Sequence, residues 1–437
     1  MRIYLSLLLG VCGIASAQLT PVPPPSTGMP AHPFFITKTW VVGGVGDWDY
    51  MAMDPQAHQL FIAHGPTVQV IDVESGSVAG VVKGLREAHS IVLSAEGTYG
   101  YVSDGPADMV RVFDRRDFEV IASIPTGPSP RSMVLDPTSG LLFVVGSQTT
   151  ASGNTPAGSA RNAPTQRARS SRESSSSTMS PGGAASTVTV IDVERRAQLA
   201  EIVLPGSLGF AQGDGNGRVY ITVSDRDQIL RFDAAAIGSA VHRAIDAQRV
   251  PATENAATTQ SGADRSSAKP PVLDWTVGAK ANVPSDAYPI AIRLDSNCEH
   301  PRALAMDTAH DRLFAACSNL RMVVLNAANG QVVSALPIGI GADAIGYDPD
   351  RGLIFTANGG SDGSLTIIRQ DVTDTYSVIQ TLPTRQNARS LAIDPDNGEV
   401  YLATVIYGAE LNRPPINGAP LKMSAVDSSF QVLVVGN

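Results

Sequence analysis

The sequence predicts an all-β protein, a seven-bladed β-propeller built of four-stranded blades. Three features predict this fold: a strand cassette that recurs along the chain, a regular distance between copies, and a last copy without a fourth strand. In the first copy, an apolar strand ends at Asp54-Pro55 and is followed by strands at 60–63, 68–72 and 77–82. Apolar or alternating runs of this length between turn-forming residues are typical of strands rather than helices.

The first strand of nearly every copy ends in an acid. The strand-end residues are Asp54, Ser94, Asp136, Asp214, Asp307, Asp348 and Asp394. Neighbouring copies lie about 40 to 46 residues apart, the period of a propeller blade rather than of a helical solenoid or a leucine-rich repeat. The distances on either side of Asp214 are longer, so we expect insertions there.

The two ends of the repeat region predict how the ring closes. The last copy has its third strand at 430–435 and no fourth strand after it, whereas an additional strand at 35–42 precedes the first copy. We therefore expect the N-terminal strand to complete the last blade, which removes a free sheet edge. Residues 35–437 then form one large domain.

Polar insertions interrupt the third and fourth blades. The first, near 148–186, consists almost entirely of Ser, Gly, Ala, Pro and Thr with several arginines. The second, near 234–272, should separate the third and fourth strands of blade four, which resumes at Leu273-Asp274-Trp275. We expect both to be disordered, and we expect no strong helix anywhere. The arginines of 148–186 suit lipid headgroups or nucleic acid, but a solvated loop without a specific role is the better explanation.

The N-terminus predicts export. Residues 1–17 combine Arg2, an apolar run and the small residues Ala15-Ser16-Ala17, as in a secretory signal peptide, and residues 18–34 form a Pro-rich linker. The apolar run is too short to span a bilayer, and no other segment approaches that length. A lipoprotein acylated at Cys12 is the alternative, but the bulky Val11 precedes that cysteine. We expect a periplasmic or extracellular protein.

Two cysteines, Cys298 and Cys317, remain once residues 1–17 are removed. A single pair in an exported chain predicts a disulfide, and the hairpin between them should place Arg302 opposite Cys317. Two buried thiols are the alternative. A zinc site would need a pair of histidines that the sequence does not offer, and no cofactor-binding motif is present, so we expect neither a metal nor a cofactor.

The cassettes resemble the YVTN (YncE-like) family of seven-bladed β-propellers, over residues 35–437 apart from the insertions. The resemblance rests on Asp-Pro after the first strand, as at Asp136-Pro137, on second strands such as 99–102, and on third strands that end like Val70-Ile71-Asp72. The fourth blade, with Gln212-Gly213-Asp214-Gly215, departs from it. The resemblance implies an exported propeller, and an exported branch of the family is the nearest match. The family shares no single activity.

One residue of each blade, immediately before its first strand, should line the mouth of the central channel. These residues are Asp49, His89, Arg131, Gly209, Arg302, Asp343 and Arg389. Guanidinium groups bind carboxylate or phosphate in forked pairs. Because only two acids oppose three arginines, we expect an excess of positive charge and an anionic ligand. The alternative is that the acids neutralise two of the arginines and water fills the mouth.

The leading interpretation is therefore an exported binding or interaction module that uses the channel mouth, is monomeric and is not an enzyme. The first alternative is a lactonase- or lyase-type enzyme with His89 as the general base, paired with Asp49 or Asp343. The second is a structural envelope protein. Loop residues on the mouth face are potential ion ligands, but such residues more often form turns. They are Asp104, Asp225, Asn319 and Asn358. The identity of the ligand is not predicted.

Overall fold

The structure is a computed structural model that describes residues 32–148, 184–249, 270–274, 287–361, 363–372, 374–409, 423–426 and 428–437. The predicted signal peptide 1–17, most of the linker 18–34 and the middle of each insertion lie outside these residues. Seven sheets form the blades of a β-propeller, as predicted. Within the described ranges, no helix has the length and apolar character needed to cross a membrane.

Each blade is an up-and-down antiparallel sheet whose first strand faces the channel. The first strand of the chain is β1 (Phe35–Val41). Blades 1 to 3 contain β2 (Trp48–Asp54), β3 (Gln59–His64), β4 (Thr67–Asp72), β5 (Val78–Val82); β6 (Ala88–Leu93), β7 (Tyr99–Asp104), β8 (Met109–Asp114), β9 (Val120–Pro125); and β10 (Pro130–Asp136), β11 (Leu141–Gln148), β12 (Ala185–Asp192), β13 (Ala197–Pro205).

The second half of the ring follows the same plan, with one helix and one extra hairpin. The elements of blades 4 and 5 are β14 (Leu208–Gly213), β15 (Arg218–Val223), β16 (Gln228–Asp233), α1 (Ala234–Arg249), β17 (Val272–Asp274), β18 (Ile290–Arg293); and β19 (Pro301–Asp307), β20 (Arg312–Cys317), β21 (Arg321–Asn326), β22 (Val332–Pro337). Those of blades 6 and 7 are β23 (Ala342–Asp348), β24 (Leu353–Asn358), β25 (Ser364–Val372), β26 (Thr375–Pro383); and β27 (Ser390–Ile393), β28 (Val400–Thr404), β29 (Tyr407–Ala409), β30 (Met423–Ala425), β31 (Gln431–Gly436).

The ring closes through β1, as predicted. This strand pairs antiparallel with β31, with Phe35 opposite Gly436 and Val41 opposite Gln431, and forms the outer edge of blade 7. The indole of Trp40 stacks on Tyr401 of the same blade at 5.5 Å between ring centroids. Its other contact is Gly76 of blade 1, where an added Cβ would lie 2.3 Å from the indole. Trp40 therefore connects the last blade to the first.

Replacing the closure tryptophan should destabilise the ring. Because Trp40 is buried, Trp40→Ala is expected to lower the free energy of unfolding by about 3 to 5 kcal/mol. Val41→Ala is the matched control, because its side chain on the same strand is exposed and should change stability by less than about 0.5 kcal/mol. Urea unfolding followed by circular dichroism measures both. Equal unfolding midpoints for the two variants would contradict this role of Trp40.

The acids at the ends of the first strands form turns, as expected. Asp136 accepts hydrogen bonds from the backbone N–H of Ser139 at 2.8 Å and of Gly217, in the next blade, at 3.0 Å. Asp394 likewise accepts from the N–H of Asp396 at 3.0 Å. These buried carboxylates satisfy backbone donors, so they hold the blades together rather than form a catalytic pair.

The connection between blades 3 and 5 differs from the prediction. The strand at Val272–Asp274 is not the fourth strand of blade 4; it pairs in parallel with β13 and becomes a fifth strand of blade 3. Ile290–Arg293 takes the fourth position of blade 4, antiparallel to β16. Leu273 is buried with Ile202 in the core of blade 3. Burial against the neighbouring blade therefore decides the position of this short strand, which its apolar pattern alone does not reveal.

The second insertion begins with a helix, contrary to the expected disorder and the expected absence of helices. Helix α1 has 16 residues and starts directly after Asp233, whose carboxylate accepts a hydrogen bond from the N–H of Ala236 at 2.8 Å. Ala234, Ile237 and Val241 are buried along one side of it. Alanines favour helix formation, and this narrow apolar stripe packs beneath blades 3 and 4. Residues 250–269 of the insertion lie outside the described part of the chain.

The predicted disulfide between Cys298 and Cys317 is present, with the Cα atoms 5.3 Å apart. Pro301 rather than Arg302 lies opposite Cys317, because the strand register shifts between Pro301 and Ala303. Both cysteines belong to the buried core of blades 4 and 5. The bond therefore fixes the loop that leads into the first strand of blade 5.

Removing the disulfide should destabilise the fold through the unfolded state. The cysteines are 19 residues apart, and the chain-entropy relation gives a loss of about 3 kcal/mol for Cys298→Ala/Cys317→Ala. The midpoints of chemical unfolding measure this loss, and reductant should shift the wild-type midpoint but not that of the double variant. Two free thiols in the unreduced, denatured wild type would show that the bond does not form.

Candidate functional site

Backbone bulges position the predicted ring residues. The register of the first strand shifts between Trp48 and Met51, Ala88 and Ile91, Pro130 and Ser132, Leu208 and Ala211, Pro301 and Ala303, and Ala342 and Ala344. The skipped residues include Asp49, His89, Arg131, Gly209, Arg302 and Asp343. Arg389 directly precedes β27 in blade 7. A bulge releases a residue from the ladder and redirects its side chain, here at the channel end of each blade.

Six of the seven ring residues line a single cavity of about 440 Å³, which we call the mouth. They are Asp49, Arg131, Gly209, Arg302, Asp343 and Arg389. Thr222 and Ser224 add hydroxyl groups to its wall. His89 is the exception, because it is buried beside the cavity and does not line it.

Arg131 and Arg302 each contact one aspartate. Arg131 Nη2 lies 3.1 Å from Asp49 Oδ2, and Arg302 Nε lies 2.6 Å from Asp343 Oδ1. The arginine side chains nevertheless remain 58% and 50% exposed. A guanidinium has five N–H donors, and the described residues offer these two groups no further hydrogen-bond acceptor. Each arginine can therefore bind a second anionic group without leaving its aspartate.

Arg389 is held more firmly, and the mouth does not carry the expected excess of positive charge. Its Nη2 donates to Trp48 O at 2.8 Å and lies 3.3 Å from Asp47 Oδ1, and its guanidinium sits 4.9 Å from the centre of the Trp48 ring. Asp47 is a third acid beside the ring, two residues before Asp49. Three aspartates thus pair with three arginines. The prediction counted one residue per blade and missed the acid in the loop between blades.

The geometry of His89 does not support its alternative role as a general base. His89 Nδ1 is hydrogen-bonded to Asp49 Oδ2 at 2.9 Å. The opposite edge of the ring packs against Gly105, where an added Cβ would lie 2.6 Å from Nε2. Asp49 therefore links a buried histidine to Arg131. The imidazole thus stabilises the mouth from the protein interior.

Hydroxyl groups beneath the mouth connect neighbouring blades. Ser90 Oγ accepts a hydrogen bond from the N–H of Met133, and Ser132 Oγ accepts one from the N–H of Ala211. Ser103 Oγ donates to the carbonyl of Arg131 at 2.8 Å. These bonds satisfy donors and acceptors that the bulges release from the ladder. Ser90 and Ser132, which directly follow ring residues, are therefore structural.

The four residues considered as ion ligands all form hydrogen bonds within the protein. Asp104 accepts from the N–H groups of Arg86 and Glu87, and Asp225 accepts from the N–H of Ser207. The remaining two are amides whose side chains also bond within the protein: Asn319 and Asn358. In the described part of the chain, no group of three His, Cys, Asp or Glu side chains is arranged to hold a metal ion.

Two aromatic residues cross the channel below the mouth. Tyr50 of blade 1 and Phe210 of blade 4 meet edge to face, with ring centroids 5.4 Å apart. Each is the second residue skipped in its bulge, and we call this pair the waist. Burial, and then the Asp49 carboxylate, raise the pKa of Tyr50 well above its usual value, so the phenol stays protonated. Neither residue was predicted to lie in the channel, although the sequence has aromatic residues at equivalent positions of two blades.

A second cavity of about 430 Å³, the chamber, lies below the waist. Apolar side chains dominate its wall, among them Ile91, Val92, Val134, Ile345 and Leu391. None of the described residues that line it is charged. The channel therefore changes from a charged mouth to a chamber without charged lining residues across the aromatic waist.

The two mouth aspartates should contribute differently to stability. Asp49→Ala leaves the buried His89 without its partner, which is expected to cost about 1 to 3 kcal/mol. Asp343→Ala releases only the half-exposed Arg302 and should cost at most about 1 kcal/mol. Thermal unfolding of the two variants compares them directly. A larger loss for Asp343→Ala would contradict the structural role of Asp49.

Comparison with known proteins identifies the fold and no more. No protein family and no curated protein matches the sequence. Among solved structures, the chain is similar to one in the "Crystal Structure of Mitotic Checkpoint Complex", with a TM-score of 0.57 and 12% sequence identity, over 96% of this chain and 100% of that chain. Identity this low shows the fold alone, a WD40-like β-propeller. The YVTN resemblance has no support from these comparisons.

Proposed function

We propose that the protein is an exported binding module whose channel mouth receives an anionic group, a carboxylate or phosphate, carried by a ligand or partner. The observation that carries this proposal is the pair Arg131 and Arg302. Both line one cavity, both are at least half exposed, and each has a single acid contact. The ligand itself is not identified by these groups.

The aspartates support binding because they position the arginines. Asp49 and Asp343 hold one edge of each guanidinium and leave the others directed to solvent. A preorganised side chain loses less conformational entropy when it binds. Charge-assisted forked hydrogen bonds are then the main attraction, since the three aspartates cancel the long-range field of the three arginines.

Other observations support an exported interaction protein of the YVTN type. The cassette motifs and the signal-like residues 1–17 remain the basis for that assignment. The Cys298–Cys317 disulfide fits an oxidising compartment. The similar solved structure is that of a complex, so a propeller of this shape is found in an assembly. Mass spectrometry of the mature protein, with Gln18 as the expected first residue, tests export and cleavage.

Removing both outward guanidiniums should abolish anion binding while the fold persists. We expect citrate and inorganic phosphate, at matched ionic strength, to raise the melting temperature of the wild type. Arg131→Gln/Arg302→Gln should bind them at least about tenfold more weakly, because two charge-assisted contacts are lost. Arg195→Gln is the control, since Arg195 is an exposed, aspartate-paired arginine on the opposite face and should bind as wild type. Isothermal titration calorimetry measures the affinities.

Two results would overturn the proposal: a wild type that binds neither anion, or a double variant that binds them with unchanged affinity. The second result would move the anion site to another surface. The first would favour a structural envelope protein. The enzymatic alternative rests on the hydrogen bond between His89 and Asp49, but His89 is buried and is not among the residues that line the mouth.

A further inference from the structure

We infer that the mouth and the chamber form one continuous site for an anionic amphiphile. Its acidic head binds Arg131 and Arg302, and its unbranched apolar chain passes the waist into the chamber. The position of the head rests on the proposed function. The position of the chain rests on the cavities below the mouth.

The two cavities share part of their walls. Tyr50, Phe210, Ala344 and Ser390 line both the mouth and the chamber. The aromatic pair reaches across from blades 1 and 4, whereas blades 6 and 7 contribute only the small side chains of Ala344 and Ser390. A narrow chain can pass on that side, with the edges of the aromatic rings against it.

The chamber suits hydrocarbon rather than a polar ligand. Its volume of about 430 Å³ lies within the usual range for small-molecule sites, about 300 to 1,000 Å³. The hydroxyls of Ser90 and Ser132 already accept hydrogen bonds from neighbouring backbone. With no charged residue in its described wall, the chamber offers the acidic head no counter-charge. An apolar chain gains free energy there with every methylene group it buries.

The far end of the channel fixes the orientation of the ligand. A third cavity of about 420 Å³ lies beside the chamber, against other blades, and shares Phe210, Gln212 and Ile345 with it. Asp348 and Tyr347 line this third cavity, where the channel becomes polar again. The Asp348 carboxylate is buried and paired with Arg351 at 3.0 Å, and none of the described residues that line this cavity is a cation. The head therefore lies at the mouth, beside Arg131 and Arg302, and the chain points away from it. The chamber wall ends at Ala95 and Pro137, just after the first strands of blades 2 and 3, and this depth limits the length of the chain.

The test is a series of linear alkanoates, from acetate to dodecanoate, titrated by calorimetry below their micellar concentrations. In the wild type, affinity is expected to rise by about threefold to fourfold per methylene and to level off when the chamber is full. Val134→Phe fills the chamber and should remove the dependence on chain length while acetate binds as before. Val92→Phe, on another blade, repeats the test if the first variant does not fold. Alkyltrimethylammonium ions of equal length should bind far more weakly.

The variants separate the two proposals. Arg131→Gln/Arg302→Gln should weaken binding by the same factor at every chain length and leave the slope unchanged. Affinity that is independent of chain length in the wild type overturns the amphiphile site, while the proposed function stands if the arginine variant still loses acetate. A chain-length slope together with unchanged affinity in the arginine variant overturns the mouth as the site of the head group. A slope that persists in both phenylalanine variants places the chain outside the chamber.

Discussion

The pairing of β1 with β31 is the interaction on which the whole molecule depends. It completes blade 7 and brings that blade against blade 1. Both cavities use residues from both sides of this junction, including Tyr50 of blade 1 and Ser390 of blade 7. Arg389 also bonds across it, to Trp48 O. A weakened closure would therefore also disturb the mouth, because Asp47, Asp49 and Arg389 lie at this junction.

The bulges of the first strands direct the ring residues toward the mouth of the channel. A regular ladder would place alternate side chains on the two faces of a blade, whereas each bulge frees a residue that projects toward the channel axis. Each bulge leaves backbone groups without a partner in the ladder. Side-chain hydroxyls of the neighbouring blade, such as those of Ser103 and Ser132, form hydrogen bonds with these groups. Fold and site are thus linked: the same hydrogen bonds that hold the blades together fix Arg131.

The sequence was sufficient wherever the repeat determined the answer. It predicted the blades and the closure, because a period and an alternation encode both of them. The single pair of cysteines in a chain expected to be exported predicted the disulfide. The position before each first strand located the ring, of which six residues line the mouth. The prediction failed where contacts between blades determine the structure. Asp47 lies in a loop that connects two blades. Leu273 belongs to blade 3 because it is buried there, although its place in the chain suggests blade 4. Helix α1 depends on a narrow stripe of apolar side chains that packs against blades 3 and 4. Such partners are distant in sequence and leave no periodic signal.

Charge balance and apolar volume together determine what the channel can bind. The chain carries a net charge of −9, and the aspartates of the mouth neutralise its arginines. An approaching anion thus gains only from contacts shorter than the screening length, about 10 Å at moderate salt. Small anions have no hydrocarbon to bury in the channel. A ligand that also buries hydrocarbon below Tyr50 and Phe210 gains free energy that salt does not screen. The combination of a neutral mouth and an uncharged chamber therefore selects amphiphiles over simple salts.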